Sequence, residues 1–157
     1  MDTGYACEEA EQFWRYIESS LGHLFEIVAE QPEEVIRWQP PANDANSIIV
    51  LGRHMLANAA VNILHTLGGL DYDYDREANF GEDISREEVL AKWAGHRARF
   101  EQVMRALPAE RIDGPVPHHW RGDIPGREVL IVVARHTAEH LAHAQLTADL
   151  AKVALGR

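Results

Sequence analysis

Apolar residues return every three or four positions in four separate stretches of this 157-residue chain, and no convincing two-residue alternation occurs anywhere. A step averaging 3.6 residues draws a stripe down one side of an α-helix, and that stripe must be buried against something. The first stretch runs from about Glu8 to Ala29, with Phe13, Trp14, Ile17, Leu21, Leu24, Phe25 and Val28 on one face; Pro32 ends it. The second runs from about Ser47 to Leu67. Pro40-Pro41 and the polar cluster Asn43 to Ser47 precede it and supply N-cap candidates, and Gly68-Gly69 closes it. The third opens on Ser85-Arg86-Glu87-Glu88, a capping-box pattern, carries Val89, Trp93, His96, Phe100, Val103 and Leu107, and stops at Pro108. The fourth runs from about Gly126 to Leu155, with Val129, Val133, His136, His140 and Ala144 on its inner stripe. Helices of this length are about 30 Å long, and four of them make an all-α four-helix bundle.

The length suits one domain spanning residues 1–157. Residues 30–46 link the first two helices. The connections 68–84 and 108–125 exceed the usual loop length, so they read as functional segments or a crossover. With 15 Lys plus Arg against 25 Asp plus Glu, the net charge is −10. Such a chain repels phosphate backbones and anionic lipid surfaces, which argues against nucleic-acid and membrane partners. The single Cys7 excludes an intrachain disulfide and a cysteine-based zinc knuckle. No apolar run of about 18 residues stands out, and the first residues lack a basic, then apolar, leader pattern. The expectation is a cytoplasmic protein.

Nine histidines are the unusual count, and their placement carries the functional signal. In Arg135-His136-Thr137-Ala138-Glu139-His140-Leu141-Ala142-His143, turning 100° per residue sets His140 40° from His136, with His143 20° to the other side. Imidazoles at i and i+4 can chelate one cation, since adjacent turns bring their nitrogens together. The same face carries Val129, Val133 and Ala144, so these rings need partners more than solvated ones would. A third ligand has to come from another helix. His54 leads, on a stripe with Leu51, Asn58, Val61 and His65; His65 lies nearer the rim. His96 reads as a core histidine bonded to a backbone or side-chain acceptor. His23, His118 and His119 lie off the stripes and read as surface or loop residues.

Three pieces of the sequence resemble the DinB/YfiT-like superfamily of metal-binding four-helix proteins. They are Asn46-Ser47-Ile48-Ile49 leading to His54; His54 to Asn58 followed by Leu67-Gly68-Gly69-Leu70 and Asp75-Arg76-Glu77-Ala78-Asn79-Phe80; and His136 with His140 on the last helix. The resemblance implies a bundle with a long crossover between helices 2 and 3, a homodimer, and one divalent metal on His54, His136 and His140. Many relatives have Gly-Gln where this chain has Ala142-His143, so His143 stands either for a hydrogen-bonding Gln or as an alternative ligand. Glu139 and Asn58 are further candidates beside the metal.

Three neutral imidazoles leave a divalent ion with open positions, as catalytic rather than structural sites do. Such an ion brings a bound water to a pKa of about 7 and ionises a bound thiol. Zinc and nickel lead, while iron and manganese accept the same ligands. The motif is not a zincin, because Thr137 stands where the base Glu would follow the first His. No Ser-His-Asp or Gly-x-Ser-x-Gly pattern occurs either. The resemblance points to thiol-dependent S-transferases, with a low-molecular-weight thiol as cosubstrate, or to hydrolases acting on small molecules. The competing class is a non-catalytic metal-binding stress or interaction protein.

Other signals carry less. Asp71, Asp73, Asp75, Asn79 and Glu82 match a calcium loop, but Arg76 stands where the sharp turn needs Gly. A solvated acidic crossover accounts for residues 71–88 better. Arg121-Gly122-Asp123 reads as a turn, and Trp120 as an anchor of its long loop. The acidic neighbours Glu8 and Glu9 disfavour Cys7 as a nucleophile.

Overall fold

In the computed structural model, residues 4–73, 80–81 and 83–157 are described. Helix α1 spans Glu8–Glu30, a short α2 Glu33–Ile36, and α3 Ile48–Ala60. The α3 axis continues through a π-helical stretch, Val61–Leu67. Then come α4 at Arg86–Ala106, a short α5 at Ala109–Asp113, strands β1 at Pro115–His118 and β2 at Gly122–Pro125, and α6 at Gly126–Ala154. The four long helices fall where the apolar stripes put them. Trp14, Ile17, Leu21, Leu24, Phe25 and Val28 of α1 are all buried, as are Val89, Phe100 and Leu107 on and just past α4. Ser85 caps α4 as the pattern foretold: its hydroxyl accepts from the Glu88 N–H while Glu88 accepts from the Ser85 N–H.

Contacts between helices fix the directions of the bundle. Trp14 meets Phe100 edge-on and Phe25 stacks on Trp93, so α1 and α4 run antiparallel. Arg127 bridges to Glu9 and Arg157 to Glu34, so α6 runs parallel to α1. Arg53 near the start of α3 bonds Asp83 just ahead of α4, while a Cβ on Gly68 would meet Val103 near the end of α4. Helices α3 and α4 therefore run parallel. Their connection must travel back along the whole bundle, which is the long crossover expected between the second and third helices.

Three expectations are corrected. First, strands are present where none was expected: the connection 108–125 holds α5 and a two-stranded antiparallel sheet pairing Val116 with Ile124. The strands are four residues each and contain Pro115, Pro117 and Pro125, so alternation had no length over which to show itself. Gly122 and Asp123 belong to β2, and the turn proper is His119 to Arg121. Trp120 is not a buried anchor: it is 69% exposed, with the Arg121 guanidinium over its ring and His118 edge-on beside it. Second, Ile48–Leu67 is long and apolar enough to cross a membrane by composition, at a mean hydropathy of 1.2. It is instead the core helix, with 78% of that stretch buried against its neighbours. Third, its last seven residues are π-helical, with the Gly68 N–H bonding Ile63 O and the Thr66 hydroxyl bonding Val61 O. The residues Asp75 to Asn79 and Glu82, on which the calcium-loop pattern and part of the family pattern fall, lie outside the described residues.

Candidate metal centre

His54 reaches inward from the second turn of α3, and His136 and His140 meet it from successive turns of α6. His136 Nε2 lies 3.1 Å from His54 Nε2 and 3.1 Å from His140 Nε2. One nitrogen from each ring lies within 4.8 Å of the others, and all three residues are half-buried. The rings stand nearly perpendicular to one another, with centroids 4.4 to 5.1 Å apart. They meet edge to edge through their Nε2 atoms rather than by stacking.

Hydrogen bonding alone does not satisfy this arrangement. His136 Nε2 offers either one proton or one lone pair, yet faces two nitrogens at bonding distance. A cation at about 2.0–2.1 Å from tetrahedrally placed nitrogens would hold them roughly 3.3 Å apart, close to the observed contacts. The two rings on α6 are also in the right protonation state. Burial, then the neighbouring His140 and His54, pushes His136 down to about 3. Burial and then His143 lower His140. At neutral pH each of these two keeps a lone pair for a cation.

The surroundings sort the remaining candidates. His143 is exposed, not on the buried stripe as the helical arithmetic suggested, because the core-facing edge of α6 is Val133, Thr137, Ala144 and Ala148. Its Nδ1 nevertheless lies 3.4 Å from His140 Nδ1, so it touches the side of His140 away from the cluster. Glu139 is exposed and 3.7 Å from Arg135. Asn58 turns to its own helix, where both its carbonyl and its Oδ1 lie within reach of the Asn62 amide. His65 is exposed, its Nδ1 on Leu70 O. His96 finds the backbone acceptor expected, its Nδ1 bonding Lys92 O with its ring against Phe100, but it is half-buried rather than a core residue.

Two features escaped the sequence. Phe80, from the crossover, stacks on His54 at 4.4 Å, and Arg53 pins that segment by bonding Gly81 O and Asp83. His118 is buried, not a surface residue. Its Nε2 lies 3.1 Å from Asn62 Oδ1 and its Nδ1 takes the Trp120 N–H at 3.4 Å, which ties the hairpin to the π-helical stretch. Asn62 gave a usable signal, as one amide inside the apolar run Ala59 to Leu64 that had to find a buried partner.

The sequence model of the DinB superfamily matches residues 16–144, from within α1 to past the middle of α6, and takes in all three histidines of the cluster. The chain belongs to the DinB superfamily. No curated protein sequence matches it. In this DinB-superfamily chain the parallel pair α3 and α4 forces the crossover past His54, and the same crossover delivers Phe80 onto its ring. Beside His140 opens a cleft of about 330 Å³, lined by Leu51, His143, Leu146 and Leu150.

Proposed function

We propose that the Nε2 atoms of His54, His136 and His140 hold one divalent metal ion, zinc or nickel ahead of iron or manganese, and that the chain uses it as an enzyme on small molecules. The leading reactions are transfer of a low-molecular-weight thiol to an electrophile and metal-assisted hydrolysis. The observation that carries this reading is the meeting of three imidazole nitrogens with no fourth His, Cys, Asp or Glu in the group among the described residues. Such a donor set leaves coordination positions open. When bound, the ion supplies a Lewis acid that ionises a thiol or water.

The chain's own residues supply the rest. His143 steadies His140 from outside the cluster, and Phe80 covers His54 from the crossover. The cleft beside His140 offers apolar walls for the body of a small substrate. The charge of −10 favours small molecules over phosphate polymers.

One observation favours the non-catalytic alternative: Glu139, the carboxylate nearest the cluster in sequence, is exposed and turned toward Arg135. A panel of thiols and electrophiles, run beside esters, amides and lactones with the metal-loaded protein, separates the readings. The expected result is metal-dependent thiol conjugation that His54→Ala abolishes. Turnover on the hydrolytic panel alone moves the assignment to hydrolase. Metal binding with no turnover on either panel favours the binding protein.

A further inference from the structure

At the far end of α3 from the histidines, the π-helical stretch and the last turns of α4 enclose a groove of about 510 Å³. Its walls are apolar: Leu67, Leu70, Val103 and Leu107. Gly68 lets the two elements approach, since a Cβ there would sit 3.0 Å from a Val103 methyl and 2.7 Å from Leu64 O. The volume lies within the range of small-molecule sites, about 300–1,000 Å³.

The charges of this groove run against the rest of the protein. A chain with 25 acidic and 15 basic residues lines it with two arginines, Arg99 and Arg111, and with no carboxylate among the described residues. The arginines are placed differently. Arg111 is half-buried and fixed, its Nε and Nη2 donating to Leu67 O and Thr66 O at the end of the π-helical stretch. Its other Nη carries no bond among the described residues, and neither arginine has an ion-pair partner there. Arg99 is exposed on α4 at the same groove. A guanidinium held by backbone carbonyls keeps its charge and its geometry while awaiting an acceptor.

We infer that this groove is a second ligand site, separate from the histidine cluster, for an amphipathic organic anion: a carboxylate on Arg111 and Arg99 with an aliphatic body along Val103, Leu107 and Leu67. The apolar walls alone would accept an uncharged chain, whereas the two arginines of the lining select for the anion. A charge-assisted hydrogen bond to a carboxylate is worth about tenfold or more in affinity.

The test is an amide-resolved NMR titration of the full chain with octanoate and, in parallel, octan-1-ol. The expected result is saturable shifts at Leu67, Gly68, Val103 and Ala106 with octanoate, and affinity at least tenfold weaker for the alcohol. Arg99→Gln, at an exposed position, should weaken octanoate about fivefold or more and leave octanol unchanged. Ala106→Trp, which fills the exposed mouth of the groove, should remove both, with the remaining spectrum confirming the fold. Equal affinity for acid and alcohol, undiminished binding to Ala106→Trp, no saturable shift, or shifts centred on His136 and His140 would each overturn the inference.

Discussion

Lowering the pH from 7 to 5 should destabilise the metal-free protein by about 3 kcal/mol, through histidines that fold only as neutral rings. Burial, then His119 and Arg121, pushes His118 down to about 4, and burial first among its causes takes His136 to about 3. In the unfolded chain both titrate near 6.5. Because the folded values lie below the unfolded one, the unfolded chain takes up protons first, and stability falls as the pH drops through 6.5. At pH 5 the linkage amounts to about 2 kcal/mol for a ring that stays neutral when folded. His118 is buried and bonded at both nitrogens, so it keeps that figure; solvent screening at half-buried His136 reduces its share to about 1 kcal/mol. Burial shifts His96, His119 and His140 the same way, which makes the sum a floor. The carboxylates do not confuse this window. Glu9, Glu88 and Asp83 are held low by their hydrogen bonds to Arg127, Ser85 and Arg53, so their contributions are lost mainly below about pH 4.5. Urea unfolding in the presence of chelator at the two pH values measures the drop, and His118→Gln should shrink it by about 2 kcal/mol. A drop below about 1 kcal/mol, or one unchanged in His118→Gln, would mean that neutral buried histidines do not set the acid response.

Two further outcomes follow from the same structure. Metal at a hundredfold excess over its Kd should stabilise the fold by about 2.7 kcal/mol, raising Tm by roughly 5–10 °C in a domain of this size, and His54→Ala should abolish that response in differential scanning calorimetry. Phe100→Ala, which empties a fully buried site against Trp14, should cost about 3–5 kcal/mol in chemical unfolding and leave metal stoichiometry unchanged.

The four long helices were legible because each has enough length for its period to show. Seven apolar residues of the α1 stripe define its face before any neighbour is known, and Ser85 with Glu88 marks the start of α4 to the residue. His136 and His140 were legible for the same reason, since four residues on a helix is a geometric statement. What failed was short or tertiary. Two four-residue strands with three prolines show no alternation, and a π-helical stretch shifts the register of His65 away from the α-helical stripe. His118 lies on one of those strands, so its burial depends on Asn62, more than fifty positions away. Phe80 carries no period at all; only the direction of the crossover, set by parallel α3 and α4, puts it over His54.

The central claim is that one ion is shared by three named nitrogens on two helices. Metal content after equilibrium dialysis against zinc, nickel, iron and manganese in turn, measured by elemental analysis on wild type and single variants, tests it most directly. One ion per chain is expected, lost in His54→Ala, His136→Ala and His140→Ala, retained in His65→Ala and His96→Ala, and held more weakly, by about tenfold or more, in His143→Ala. Full occupancy in His136→Ala together with loss in His143→Ala would contradict it and move the centre to the exposed edge of α6.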